Sequence, residues 1–361
     1  MKKTVSSAVI LLMSSSIAMA GGLDRSGQSI SAIFADGDYA ELTFGSVVPN
    51  VSGTGPGAGF VGTSPSENIT PSYTQLGMSL KSQLDEKFSL ALIYDQPFGA
   101  DVDYSSVGYV LNGGGTKPNS AASVASDSIT VIGRYEINHN VSIYTGLRYV
   151  QAKGTYGFNL TNYMSNYDTD GSFGYVVGGA YERENIGMRI AVTYSSGINL
   201  ELNGNVGDNT LTANLPESVN LDFQTGIAAD TLLLGSVRYV AWDGFTLIDS
   251  NNPTGTGSIL SYEDDAYTYS IGIGRRITEK IAAAFSVGYE ASSGEPSGQL
   301  GPADGYISYQ IGASYTLDNS VELTGGVRYV DLGDTTTSPP VGGAFYDNYI
   351  VALGLKVAYN F

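Results

Sequence analysis

From Leu353 to Phe361 the sequence alternates without a break: Leu353, Leu355, Val357, Tyr359 and Phe361 are apolar, while Gly354, Lys356, Ala358 and Asn360 between them are small or polar. Side chains of a strand point to opposite faces with period two, so this segment reads as a strand that is greasy on one face only. It stops on Phe361, and a last strand at a sheet margin would leave a row of unpaired backbone groups. Closing the sheet into a barrel removes that margin, and lipid outside with a polar lumen inside accounts for the alternation. The expected fold class is therefore all-β, a transmembrane antiparallel β-barrel. A secreted soluble sandwich is the competing architecture.

The other terminus suggests where such a barrel is built. Met1, Lys2 and Lys3 make a positive start, Val9 to Met13 an apolar stretch, and Ala18-Met19-Ala20 before Gly21 has the small-residue spacing of a cleaved secretory signal. Residues 1–20 are expected to be a signal peptide, and Gly21 in place of Cys argues against a lipoprotein anchor. Beyond them no apolar run approaches the roughly 18 to 20 residues of a helical span, so a membrane protein here must cross with strands. The absence of Cys suits an oxidising compartment without disulfides. Removing Lys2 and Lys3 takes the formal net charge from -18 to -20, which argues against nucleic acid or a bare anionic surface as partner. With 47 Gly, 26 Tyr and only 14% charged residues, the composition favours a barrel with aromatic belts over a soluble domain.

Tight turns are expected at Gln83 to Glu86, Asn138 to Asn140, Glu182 to Asn185, Ala229-Asp230, Thr278 to Lys280 and Asp318 to Ser320. They join strands near 72–81 and 87–96, 127–137 and 141–153, 172–182 and 186–196, 218–228 and 231–242, 262–277 and 281–291, and 303–317 and 321–331. A first strand at 39–48 and a last at 346–361 bring the expectation to about 14 strands, with both termini on the turn side, which in outer-membrane barrels is the periplasm. Arg148-Tyr149-Val150, Arg238-Tyr239-Val240 and Arg328-Tyr329-Val330 recur near the ends of strands that leave a short turn. Alternation then points each tyrosine at lipid and each arginine into the lumen.

The connections at the other end divide into two kinds. Residues 49–71 and 97–126 are rich in Gly, Pro, Ser and Asn, as exposed loops are. The stretch 154–170 instead carries Tyr156, Phe158, Leu160, Tyr163, Met164 and Tyr167, and 197–217 carries Ile198, Leu200, Leu202, Val206, Leu211 and Leu215. Two readings stand for these side chains: a greasy groove that catches an apolar molecule, or packing of the loops against each other.

The segments Gly21-Gly22-Leu23-Asp24-Arg25-Ser26-Gly27-Gln28, Ala40-Glu41-Leu42-Thr43-Phe44-Gly45 and Val48-Pro49-Asn50-Val51-Ser52-Gly53, together with Tyr94-Asp95-Gln96-Pro97-Phe98-Gly99, resemble the corresponding parts of FadL-type outer-membrane transporters of hydrophobic compounds. The resemblance implies a fourteen-stranded barrel with an N-terminal hatch, here 21–38, followed by the barrel proper at 39–361. It implies capture of a long-chain fatty acid or similar hydrophobic molecule by two outer loops, passage beside the hatch, and sideways exit through a kink in the third strand. Leu23, Ile30, Ile33 and Phe34 of the hatch, with Tyr156, Phe158, Leu160, Tyr163, Met164, Ile198, Leu200, Leu202 and Leu211, are the expected ligand-contacting residues. Tyr94, Pro97, Phe98 and Gly99 mark the expected exit, and Arg148, Arg238, Arg328 and Lys356 are candidates to pair with a carboxylate. The segment 21–38 is shorter than a usual hatch and lacks the expected Asn-Pro-Ala element. A monomer in contact with outer-membrane lipid, lipopolysaccharide and the barrel assembly machinery is implied as well.

An enzyme is the second functional class. The sole histidine, His139, falls in an expected turn, where a Ser-His dyad or a histidine metal site would have to use it. The acidic groups Asp168 with Asp170 and Glu263-Asp264-Asp265 read as solvated loop charges, with a rim cation as the alternative. No glycine loop leads from an apolar strand into a helix to cradle phosphate. No catalytic residue, cofactor or metal is expected; a general diffusion porin or a surface adhesin is the third class.

Overall fold

The computed structural model describes residues 23–253, 257–317 and 320–361; the expected signal peptide lies outside them. The barrel strands are β1 (Tyr39–Asn50), β2 (Tyr73–Gln83), β3 in two pieces (Phe88–Asp95 and Gly99–Asp103), β4 (Ala121–Asn138), β5 (Val141–Phe158), β6 (Tyr163–Arg183) and β7 (Met188–Ser195). They continue as β8 (Ser218–Ala228), β9 (Thr231–Val240), β10 (Ala266–Arg276), β11 (Ile281–Glu290), β12 (Tyr306–Thr316), β13 (Val321–Leu332) and β14 (Tyr349–Asn360). Each pairs antiparallel with the next, and β14 returns to β1 from Tyr39↔Asn360 to Asn50↔Tyr349, so the fourteen-stranded sheet is closed.

Alternation sets the two faces. On β14 Leu353, Leu355 and Val357 are exposed while Ile350, Ala352, Lys356 and Ala358 are buried. Leu42 and Phe44 on β1, Leu76 and Leu80 on β2, and Ile271 and Ile273 on β10 are exposed in the same way. So continuous an apolar belt around a closed barrel is stable only in hydrocarbon. Tyrosines gird it near the loop end, where Tyr149 meets Phe173 at 5.0 Å, Tyr239 meets Tyr267 at 5.1 Å and Tyr329 meets Tyr349 at 5.9 Å between ring centroids. Arg148, Arg238 and Arg328, one residue earlier on their strands, are buried in the lumen, as alternation requires.

The strands of all six expected hairpins pair, Asp318 and Asn319 of the last turn lying outside the described residues, but strands run past their expected ends on the loop side. β4 starts at Ala121 rather than 127, and β5 and β6 pair out to Phe158↔Tyr163, so most of the stretch 154–170 is strand. Only Asn159 to Asn162 turn there, with Asn162 at φ 56°. The stretch 197–217 is likewise a hairpin of Ile198–Asn203 with Thr210–Leu215, extended by Thr246–Asp249 and Ser258–Ser261 into a separate four-stranded sheet. Period-two apolar patterns in both stretches carry this information; their place between expected barrel strands led them to be read as loops. A second small sheet joins Gly53–Pro56 and Thr63–Pro65 to Ala344–Phe345 and Thr335–Thr336.

Candidate functional site

The third strand breaks because it holds one residue too many. Asp95 pairs with Ser128 and Gly99 with Ala125, so Gln96, Pro97 and Phe98 face only Ser126 and Asp127 on β4. Such a bulge inverts the facing of everything beyond it. Leu90 and Leu92 point outward before it, whereas Phe98 and Val102 are buried after it. Proline lacks an N–H for the ladder, and the Ser126 hydroxyl serves Phe98 instead, accepting from its N–H at 2.8 Å and donating to its carbonyl at 2.7 Å.

Beyond Met78↔Tyr94, β2 therefore has no partner on its β3 side, and residues 73–77 border a gap in the wall. Two side chains occupy it. Gln96 accepts the Leu76 N–H at 2.9 Å and donates to Asp127 at 3.3 Å, replacing part of the lost ladder. Arg25 arrives from inside, stacks its guanidinium 3.9 Å from the Tyr73 ring centre and pairs with Asp101 at 3.0 Å. A Cβ on Gly99 would lie 2.6 Å from an Arg25 nitrogen, so glycine is needed here for the close approach of that side chain. Gly99→Ala is expected to push Arg25 out of the gap without unfolding the barrel, because a flexible side-chain end gives way before backbone does; heat-modifiable migration with dye permeability reads both effects.

The segment bearing Arg25 lies within the barrel. Asp24 bridges to Phe98, with the Arg25 N–H bonded to the Pro97 carbonyl at 2.7 Å and the Gly99 N–H to the Leu23 carbonyl at 2.8 Å. The inward end of the broken strand thus finds its new partner in residues 23–25. Farther along, Asp24 and Arg238 form a buried ion pair, Arg148 donates to Gln28, Asn220 donates to the Gly27 carbonyl at 3.0 Å, and Lys81 caps the carbonyls of Ala35 and Gly37 at 2.8 and 2.9 Å. The Phe34 ring sits between the guanidinium groups of Arg134 and Arg189, at 5.0 and 4.4 Å. Ile33 beside it is fully buried with Ile132, Tyr144 and Val176.

The four-stranded outer sheet is pinned by one carboxylate. Asp249, fully buried, accepts from the hydroxyls of Tyr163 and Tyr167 (the latter at 2.8 Å), from Asn209 Nδ2 at 2.9 Å and from the Asn251 N–H at 3.1 Å. Burial alone raises its pKa, but these donors outweigh burial and hold the carboxyl below its ordinary value. Beneath the sheet Trp242, 1% exposed, packs edge-on against Phe98, Phe245 and Tyr262. Leu23, Phe98, Leu200, Leu202, Leu211 and Leu247 enclose an apolar void of about 30 Å³ there.

Two larger spaces flank the inner segment. One, about 190 Å³, lies between Ser29, Ser31 and Ala32 and the wall made by β13, β14, β1 and β2, and extends to Tyr94 and Gln96 at the gap. The other, about 90 Å³, lies between Phe34 and β7 to β9, where Arg189, Asp222 and Gln224 line it.

The structure separates the expected ligand-contacting residues into two groups. Leu23 joins Tyr156, Tyr163, Ile198, Leu200, Leu202 and Leu211 in one buried cluster, with Phe158 at its margin, while Ile30, Ile33 and Phe34 belong to another nearer the turn end. Leu160 and Met164 are exposed at the β5–β6 tip and join neither. Of the carboxylate-pairing candidates, Arg238 is committed to Asp24, Arg148 to Gln28 and Thr130, and Arg328 donates to Ser308; Lys356 lies 3.6 Å from Glu322. Tyr94 faces outward and donates to Asp127. Arg25, Gln96 and Asp249 are singled out by no pattern of their own; the side-chain hydrogen bonds that define them reach Leu76, Asp101, Asp127, Asn209, Tyr167 and Tyr163, 20 to 86 positions away in other elements, and Trp242 meets Phe98 in the same way. Asp170 accepts the Glu201 N–H and Asp265 the Tyr239 hydroxyl, so these rim acids serve as hydrogen-bond acceptors. Among the described residues no three His, Asp or Glu side chains form a metal-binding group.

No protein-family model and no curated protein sequence matches the chain. Solved structures do match its fold. A Pseudomonas aeruginosa FadL homologue superposes with TM-score 0.72 at 13% identity, covering 92% of each chain. The Pseudomonas putida toluene transporter TodX gives 0.67 at 11% identity, over 99% of this chain and 96% of the other. The Ralstonia pickettii toluene transporter TbuX gives 0.60 at 10% identity, over 96% and 98%.

Proposed function

We propose that the protein is an outer-membrane channel of the FadL type that carries hydrophobic molecules passively into the bilayer. The observation that carries this reading is the broken third strand: a closed barrel has no reason to open its wall at 73–77 and then fill the gap with two side chains unless the opening is used. In this reading the apolar cluster under the outer sheet receives the ligand, the inner segment 23–38 acts as a hatch, and the ligand leaves between β2 and β3 when Arg25 and Gln96 withdraw. Long-chain fatty acids and small hydrocarbons are both compatible with such a route. Burial of each methylene contributes about 0.8 kcal/mol, enough for binding without chemistry. The exit faces lipid directly, so the molecule need never re-enter water. A monomer suffices, because every barrel strand is paired. A general diffusion porin fits less well, since the lumen holds a segment tied to the wall by an ion pair and several hydrogen bonds.

Uptake of hydrophobic substrates into proteoliposomes, measured beside single-channel conductance, tests the reading. The intact protein is expected to take up substrate while conducting ions poorly, and deletion of residues 23–37 to raise conductance. High resting conductance with no hydrophobic uptake would overturn it.

A further inference from the structure

Charge divides the two ends of the barrel. The seven connections at the loop end, residues 51–72, 104–120, 159–162, 196–217, 241–265, 291–305 and 333–348, hold thirteen acidic residues and one base, Lys117. Eleven of those acids are exposed, while Asp249 is buried and Asp304 half-buried. Among the described residues none of the thirteen has an ion pair, whereas at the turn end Asp230 pairs with Arg276 and Glu182 with Arg134.

The same sign continues at the gap in the wall. Asp95, Asp101 and Asp127 stand around the break in β3, and of these only Asp101 is ion-paired among the described residues, to Arg25 at 3.0 Å. Asp95 accepts from the hydroxyls of Ser26 and Ser128 at 2.6 Å each, and Asp127 from Tyr94 and Gln96. All four donors are neutral, so they satisfy the oxygens without cancelling the charge.

We propose that this run of carboxylates is a charge filter, which admits uncharged hydrophobic molecules and turns away ionised carboxylates. It rests on the transport reading above and narrows its cargo. The loop acids are spread over five of the seven connections, so their fields add across the mouth instead of marking one spot. Screening leaves such a field a reach of about 8 Å at physiological salt, and fields of this kind change association rates by about 10- to 1000-fold. An anion that passed the mouth would meet Asp95 and Asp127 again at the exit.

The chain contains no cysteine, so Ser261→Cys, an exposed position two residues from Glu263, reports the potential at the mouth independently of transport. Cationic and anionic methanethiosulfonate reagents are applied to the full-length barrel in neutral detergent, each rate being normalised to a small uncharged thiol. The cationic reagent is expected to react at least tenfold faster in 10 mM salt, and the ratio to fall toward one in 1 M salt, where the screening length drops from about 30 to 3 Å. Uptake of decanol, decylamine and decanoate by intact cells, with uptake by cells lacking the protein subtracted, then tests selection at one chain length. Decanol and decylamine are expected to enter at least tenfold faster than decanoate. Glu263→Lys, Asp264→Lys and Glu295→Lys together, all at exposed positions, should raise decanoate uptake and leave decanol unchanged, with heat-modifiable migration showing an intact barrel. Equal normalised labelling by the two reagents overturns the filter. Decanoate entering as fast as decanol overturns it alone and leaves transport standing, whereas no protein-dependent uptake of any of the three sinks the transport reading and the filter with it.

Discussion

Asp24→Ala is expected to release the inner segment from the barrel wall and raise single-channel conductance. Asp24 and Arg238 are both buried, at 3% and 7% exposure, and joined through Arg238 Nε at 2.6 Å. Removing one partner of a buried pair leaves the other charge uncompensated, at a cost of about 3–5 kcal/mol. Arg238 keeps Asn220 at 2.7 Å, a neutral acceptor that cannot replace a carboxylate. The barrel ladder is untouched, so the loss falls on docking of residues 23–28, and with it on the contacts that Leu23 and Arg25 make with the broken strand. Planar-bilayer recordings read the effect directly. Conductance identical to wild type would show that the pair does not hold the segment in place. The double variant Asp24→Ala with Arg238→Met should recover part of the docking, because no unpaired charge then remains.

Asp249→Ala is expected to loosen the outer sheet while leaving the barrel folded. The substitution orphans the hydroxyl donors of Tyr163 and Tyr167 in a buried place, at about 1–3 kcal/mol each, while Asn209 keeps the Tyr163 and Ser165 oxygens as acceptors. Limited proteolysis should then cut within residues 198–215 or 246–249 more readily than in wild type, while the heat-modifiable barrel band persists. Acid should mimic the substitution. Hydrogen bonding holds the Asp249 carboxyl below its ordinary value, so its contribution is fully present above the unfolded-state value of about 3.9 and is lost as pH falls through the folded one. Protease sensitivity of wild type should therefore rise only below about pH 4, and Asp249→Ala should remove that pH dependence. A wild-type transition near neutrality would mean that another group controls the sheet.

Much of the fold was legible because a membrane barrel imposes one rule along its whole length. The alternation at Leu353 to Phe361, the tyrosines that follow Arg148, Arg238 and Arg328, and the short turns such as Asn138 to Asn140 are all local patterns, and each found its expected place. Boundaries at the loop end were less legible. Nothing local marks where a strand leaves the bilayer, so β5 and β6 run on through 154–158 and 163–170, where apolar side chains alternate but pack on an outer sheet rather than on lipid. Tyr94 to Gly99 pointed to a break in the third strand, but the role of its glycine did not follow from that. Gly99 is small because Arg25, 74 positions earlier, lies against it.

The sequence by itself determined the barrel, its strand number and the faces of the unbroken strands, since period-two alternation is a property of neighbours along the chain. Only the tertiary structure decided which partner each inward charge takes. Arg148, Arg238, Arg328 and Lys356 look alike as inward cations on a strand. Their difference lies in where the partner comes from: Asp24 and Gln28 cross the lumen to Arg238 and Arg148, whereas Lys356 is met by Glu322 of the neighbouring strand at 3.6 Å. The lumen-crossing pairings depend on the path of residues 23–38 through the barrel, and contacts between segments hundreds of residues apart leave no periodic trace in the chain.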